Sequence, residues 1–243
     1  MKRVLLFFAT LWLGIMGASA QSYHYDVNND GEININDVVA LVNKILGKDN
    51  PGEGAGMEAG GEAIDLGLPS GTKWASCNVG ATKPEEYGGY YARGETEEKE
   101  VYDESTYKYY QNGEYVNIGS DISGTEYDVA HVKWGGNWCM PTYDDIKELF
   151  DNCTSEWTTL NGVNGRKFTS NINGNSIFLP AAGGRWYSYL NYAGENGNYW
   201  SSTQGPDHSN YAYGLYFDSG RASWYNDYFH RGNGQSVRPV VRN

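Results

Sequence analysis

The 243 residues carry 30 Asp plus Glu against 18 Lys plus Arg, a formal charge of −12. That balance argues against nucleic acid, whose phosphates need clustered cations, and against an anionic membrane surface. Hydrophobic residues at 40% and aromatic residues at 15% are too many for a disordered chain. With 32 Gly and 21 Tyr but few long apolar helical faces, the composition predicts a β-rich, loop-rich globular protein, with room for one good domain and something small.

Residues 1–20 read as a secretory signal peptide. Met1-Lys2-Arg3 is a short basic start, Val4 to Met16 is almost wholly apolar, and Ala18-Ser19-Ala20 precedes a cut before Gln21. The apolar run is too short to span the roughly 30 Å of bilayer hydrocarbon, so secretion without membrane insertion is expected. No Cys follows the cut to take a lipid. Three cysteines remain for an oxidising compartment, Cys77, Cys139 and Cys153, and an odd number leaves one unpaired or paired with another molecule. The residues themselves allow three pairings. Asn152-Cys153-Thr154 has the form of a glycosylation sequon, read here as incidental.

Residues 26–37 place oxygen side chains at positions 1, 3, 5, 9 and 12 of a twelve-residue loop: Asp26, Asn28, Asp30, Asn34 and Asp37. Gly31 sits at position 6, where the chain must turn with positive φ, Glu32 offers its backbone carbonyl at position 7, and Ile33 points inward at position 8. Hard oxygen donors at this spacing suit calcium. Asp in place of Glu at position 12 offers a shorter carboxylate, which lowers the expected affinity. A helix follows, with Val38, Leu41, Val42, Ile45 and Leu46 on one face and Gly47 at its stop. The stretch "DVNNDGEININDVVALVNKILG" resembles a type I dockerin repeat, so residues 21–47 are read as a dockerin-like calcium-binding unit. The resemblance implies calcium as cofactor and a cohesin-like or other protein as partner. Dockerins carry two such repeats, and no second one is found here. A unit this small cannot bury enough surface to be stable alone; it must pack on Tyr23, Tyr25 and the main domain, or take a partner. Residues 48–61 hold a Pro and five Gly and read as a flexible linker.

Residues 62–243 form the main domain. Ala63 to Leu68 and Thr72 to Val79 flank Pro69-Ser70-Gly71 and predict a hairpin. Residues 95–130 are charged, Tyr-rich and unpatterned, and read as a long excursion. Thr142 with Asp145 three residues later predicts a capped helix whose apolar face is Ile146, Leu149 and Phe150. Strands are predicted at 157–160, 166–170, 176–179, 199–203, 212–217, 222–225 and 236–241, the earlier ones separated by Asn-Gly turns. One good helix among many short strands predicts an α+β fold.

Six blocks occur in order: "DLGLPSGTKWASCNVGA", "YGGYYARGET", "WGGNWCMPTYDDIKELFDNC", "GNSIFLPAAG", "YWSST" and "SVRPV". Together they resemble the Fibrobacter major paralogous domain (FISUMP), common in secreted proteins of gut and rumen bacteria. That family is similar to the formylglycine-generating enzymes, so the resemblance implies a C-type-lectin-like mixed fold. It also implies a disulfide between Cys77 and Cys153, with Cys139 free where the family usually has Arg. Such a closed loop stabilises by about 4–5 kcal/mol on the chain-entropy account.

Formylglycine-generating enzymes work through a cysteine pair late in the domain, and no Cys follows Cys153. Neither H-E-x-x-H nor G-x-S-x-G is present. His24, His131, His208 and His230 are scattered, without metal-ligand spacing, and read as surface residues. A non-catalytic protein is therefore expected. The stronger feature is aromatic: nine Tyr and three Trp fall between Trp186 and Tyr228, interleaved with Gly, Asn and Ser. Trp200, Tyr216 and Trp224 fall in strands and are read as core. Trp186, Tyr187, Tyr189 and Tyr192 lie in a loop and are read as a ligand-binding face, since exposed aromatic rings suit both sugar faces and protein contacts. The expected function is a secreted or cell-surface-associated binding module for polysaccharide or adhesion, carrying a calcium-binding appendage. The alternatives are an accessory enzyme of polysaccharide breakdown and a structural protein-adhesion component.

Overall fold

A computed structural model describes residues 61–205 and 209–242. The calcium ligands Asp26, Asn28, Asp30, Glu32, Asn34 and Asp37, the leader and nearly all of the linker lie outside the described residues. The domain is mixed and strand-rich with few helices, an α+β arrangement. Among the described residues no helix is long and apolar enough to cross a membrane.

Four short strands make the first sheet, in the order β1 (Ala63–Ile64), β2 (Lys73–Ala75), β14 (Val240–Val241), β5 (Trp138–Cys139), all antiparallel. The hairpin expected over residues 63–79 is thus cut to two and three residues. The paired strands stop at Ile64 and Lys73 on the turn side, while Ser76 N–H still donates to Glu62 O at 2.8 Å; the other edge of this segment bonds to the stretch before β14, Ala75 N–H to Pro239 O at 2.9 Å and Val79 N–H to Val237 O at 3.0 Å. The second sheet is a meander of β6 (Cys153–Leu160), β7 (Val163–Ser170) and β8 (Ser176–Pro180). The third is another, β11 (Asn196–Gln204), β12 (Tyr211–Asp218) and β13 (Ala222–His230). Two separate hairpins, β3–β4 (Tyr110–Gln111, Glu114–Tyr115) and β9–β10 (Gly184–Trp186, Tyr189–Asn191), complete the strands.

Helix α2 (Tyr143–Asn152) begins as the sequence predicts. Thr142 accepts from the Asp145 N–H at 3.1 Å while the Asp145 carboxylate accepts from the Thr142 N–H at 2.8 Å. Ile146 and Leu149 are buried and Phe150 packs edge-on to Phe168. Helix α1 (Val129–Trp134) has no sequence counterpart, because six residues are too few to display a period. It is nucleated by the fully buried Asp128, whose carboxylate accepts from the N–H groups of Gly124, Ala130, His131 and Met140.

Two buried clusters form the core, one centred on Trp200, Tyr91, Tyr102 and Ile122 and the other on Trp74, Phe168, Tyr199 and Phe217. The excursion at 95–130 belongs to the first. Its tyrosines enter the core because each hydroxyl finds a backbone carbonyl: Tyr102 donates to Tyr90 O at 2.5 Å and Tyr107 to Arg93 O at 2.7 Å. Arg93, Arg231 and Arg238 are also buried. Arg238 donates to Asn78 Oδ1 at 2.8 Å and to the carbonyls of Ala75, Ser76 and Phe178, tying the first sheet to the second. Its pKa is lowered to about 10 by burial, so it stays charged at neutral pH.

The disulfide implied between Cys77 and Cys153 is not formed. All three cysteines are free and buried. Cys77 belongs to the first cluster, where its thiol donates to Ala81 O at 3.2 Å, and Cys153 belongs to the second. Burial raises the pKa of each thiol, that of Cys153 to about 11, which keeps them protonated and unreactive.

Candidate functional site

Hairpin β9–β10 displays the aromatic residues singled out in the sequence. Its strands pair Trp186 with Tyr189, Arg185 with Leu190 and Gly184 with Asn191. Its β9 edge is anchored at two points: Tyr102 and Tyr187 exchange backbone bonds of 2.9 and 2.8 Å, and Arg185 and Gly234 bonds of 2.7 and 2.8 Å. Tyr187, Tyr189 and Tyr192 are 62, 66 and 55% exposed, with Leu190 exposed beside them. Trp186 is half-buried and lies 5.8 Å from the Tyr192 ring, centroid to centroid.

The backbone here is unusual. The described non-glycine residues with positive φ are Asn112, Asn161, Tyr187 and Tyr192. The asparagines tolerate it in Asn-Gly turns; a bulky tyrosine does so at a cost. Successive residues of a strand face opposite sides. At Tyr187, φ of +53° breaks that alternation, so the neighbouring Trp186 and Tyr187 both line one cleft.

That cleft has a volume of about 460 Å³ and is lined by Tyr102, Asp103, Glu104, Trp186, Tyr187, His230 and Asn233. Asp103 and Glu104 come from a single 3-10 turn, Glu104–Thr106, capped by Asp103. The Asp103 carboxylate accepts from Ser105 Oγ at 2.7 Å and the Thr106 N–H at 3.0 Å, and these bonds hold it below the usual carboxylate range. Glu104 accepts a short hydrogen bond from the Tyr115 hydroxyl. His230 Nε2 lies 2.8 Å from that hydroxyl and 3.6 Å from Glu104 Oε1. Because His230 Nδ1 accepts from the Gly232 N–H at 3.4 Å, the neutral ring carries its proton on Nε2 and donates to Tyr115. Burial lowers the His230 pKa, outweighing the Glu104 carboxylate, and Arg231 adds to the lowering.

Of the four aromatic residues expected to contact ligand, Trp186 and Tyr187 line the cleft. Tyr189 and Tyr192 stand on the hairpin outside it, Tyr192 against Trp186. The polar half of the site, Asp103, Glu104, His230 and Asn233, was missed by sequence reasoning. Asp103 and Thr106 form a capping box within the Tyr-rich excursion, a local sign of order on the site's own segment. His230, expected at the surface, is a half-buried wall residue. Two further clefts of about 520 Å³ offer less. In one, Glu95 is bound by Lys99 and the Lys108 N–H, and Glu98 by the Tyr90 N–H. The other lies beside β6, β7 and β8, where Ile64, Leu160, Ile177 and Phe178 share the lining with Glu156 and Lys167 and no aromatic pair faces it. Among the described residues no group of three or more His, Cys, Asp or Glu is placed to hold a metal ion.

Residues 153–240 match a family described as a domain of unknown function, DUF8237. The matched stretch includes hairpin β9–β10, His230 and Asn233 but stops short of Tyr102, Asp103 and Glu104. No curated protein and no solved structure matches the chain.

Proposed function

We propose that residues 62–243 are a non-catalytic glycan-binding module of a secreted protein, taking a polysaccharide segment in the cleft between hairpin β9–β10 and the turn at 103–106. The observation that carries this reading is the pair Tyr187 and Tyr192, exposed tyrosines held at positive φ beside Trp186. Strain of this kind, roughly 1–3 kcal/mol per residue, clusters at functional sites. Stability alone favours Gly or Asn at both positions. The cleft also combines ring faces with the hydrogen-bonding groups of Glu104, Asn233 and His230, the mixture that sugar hydroxyls and apolar sugar faces require. Asp103, held ionised by its capping bonds, suits the holding of a ligand better than the donation of a proton.

The strand-rich α+β domain is compatible with the C-type-lectin-like fold that the FISUMP resemblance implies. The dockerin-like segment at 21–47 supplies calcium binding and docking to a cohesin-like partner. The setting is polysaccharide handling or adhesion at a bacterial surface. One observation favours a second reading, protein adhesion: Leu190 is exposed among the tyrosines.

Affinity electrophoresis of the intact protein through plant and mucosal polysaccharides tests the glycan reading. Retention on one or more glycans is expected, falling about tenfold or more when Trp186 and Tyr187 are both changed to Ala, since each aromatic contact contributes roughly 0.5–1.5 kcal/mol beyond its buried area. No retention on any polysaccharide, together with stoichiometric capture of a protein, shifts the assignment to adhesion.

A further inference from the structure

Resting on the glycan reading, we infer that the cleft selects sugars carrying a free amino group, so that its ligand is a polycationic or partly deacetylated hexosamine glycan rather than a neutral or acidic one. The argument starts from charge. Two carboxylates, Asp103 and Glu104, line the cleft, and among the described residues no lysine or arginine lines it. Asp103 is held in its ionised form. His230, the remaining titratable wall residue besides the tyrosines, has its pKa pushed below its ordinary value and is mostly neutral at neutral pH. The cations nearby are committed elsewhere. Lys99 lies 2.9 Å from Glu95 Oε2 and over the Tyr102 and Tyr107 rings. Arg231 is fully buried and donates to the Tyr107 hydroxyl and to the carbonyls of Ser209 and Val116. Arg185 stacks over the Tyr90 ring at 5.3 Å.

The cleft therefore combines a concentrated negative charge with the rings of Trp186 and Tyr187. An ammonium group gains from both at once: the carboxylates attract it directly and the ring faces attract it through their quadrupoles. An acidic sugar meets like charge. A neutral sugar meets the same aromatic faces and hydroxyl partners but gains nothing from the carboxylates. Glu104 is the selective element. Its side chain is 46% exposed, whereas Asp103 is committed to capping the 3-10 turn.

The test is calorimetric titration of the intact protein at about pH 6, where most of the sugar amines are ammonium and the carboxylates stay ionised, with a short β-1,4-linked glucosamine oligosaccharide and with its fully N-acetylated counterpart of the same length. Tighter binding of the amine form is expected, with a preference of roughly three- to fivefold at low salt, the scale of a partly exposed ion pair. The preference is expected to vanish in Glu104→Gln, which retains an acceptor for Tyr115 and the shape of the side chain, and to shrink as salt is raised. Equal affinity for the two forms, or tighter binding of the acetylated one, overturns the inference and leaves the glycan reading standing. Binding of a lysine-rich peptide with no binding of either oligosaccharide overturns it in favour of a basic protein partner. If neither oligosaccharide binds and no polysaccharide is retained, the glycan reading falls as well.

Discussion

Tyr187 sets a local cost against a local gain. At φ of +53° it holds a conformation that glycine adopts freely, and its ring, 62% exposed, adds little to the core. Tyr187→Gly is expected to leave thermal stability unchanged or raise it by about 1 kcal/mol, while glycan retention falls. A melting curve and an affinity gel on the same sample check both halves. Asp145 is the counterpart that works for stability. Burial raises the pKa of its carboxyl, but bonds from Arg242 at 2.5 Å and from Thr142 outweigh burial and hold it below the usual range. A carboxylate depressed in the folded state contributes stability above its unfolded pKa, about 4, and loses it as pH falls through the folded value. Asp145→Asn is expected to cost about 1–3 kcal/mol at neutral pH. Urea midpoints of the two proteins should converge as pH falls below about 4. At this scale the sequence displayed the Asp145 cap and the Trp186 and Tyr187 pair, because both are local patterns. The partnership of Glu104 with Tyr115 and His230 could not be seen, because it exists only after distant segments meet.

Among the elements, the meander β6–β7–β8 was the most legible: expected strands at 157–160, 166–170 and 176–179 fall within observed ones at 153–160, 163–170 and 176–180. Asn161 and Gly162 turn the first pair at φ of +49° and +84°, as an Asn-Gly hairpin requires. Two glycines here do different work. Gly162 has open space around its missing Cβ, so Gly162→Ala carries only the backbone term, about 1 kcal/mol. At Gly165 an added methyl would sit 2.4 Å from the Leu179 carbonyl oxygen and 2.5 Å from the Phe178 ring. Gly165→Ala is therefore expected to cost more, about 2–3 kcal/mol, because the β7–β8 pairing must give way. Chemical denaturation of the two variants ranks them; equal costs would contradict the packing account. The excursion at 95–130 was illegible for a different reason. It is ordered by tyrosine hydroxyls reaching carbonyls and by Asp128 gathering four N–H groups, and neither leaves a hydrophobic period.

For the whole molecule, the α+β class followed from counting short strands against one convincing helix, and the strand-rich structure agrees at that level. The lack of a Cys77–Cys153 bond means that no crosslink steadies the domain; packing, the buried arginines and the tyrosine hydroxyls hold it. Reducing agent is thus expected to leave the melting temperature unshifted. The calcium reading belongs to the intact chain. Titration of the intact protein is expected to show calcium uptake at millimolar calcium or below, abolished when Asp26 and Asp30 are both changed to Ala. No uptake by the parent protein removes the dockerin-like assignment.

Strand β14 has a consequence for biogenesis. It slots between β2 and β5, so partners at residues 73–75 and 138–139 wait for residues 240–241. At roughly 5–20 residues per second, a ribosome takes about 8–35 s to travel from β2 to β14 and about 5–20 s from β5. Until residues 240–241 emerge, the facing edges of β2 and β5 stay unpaired. The first sheet therefore closes as one late event, and a nascent chain stalled short of residue 240 presents two sticky edges to whatever chaperone or protease reaches it first.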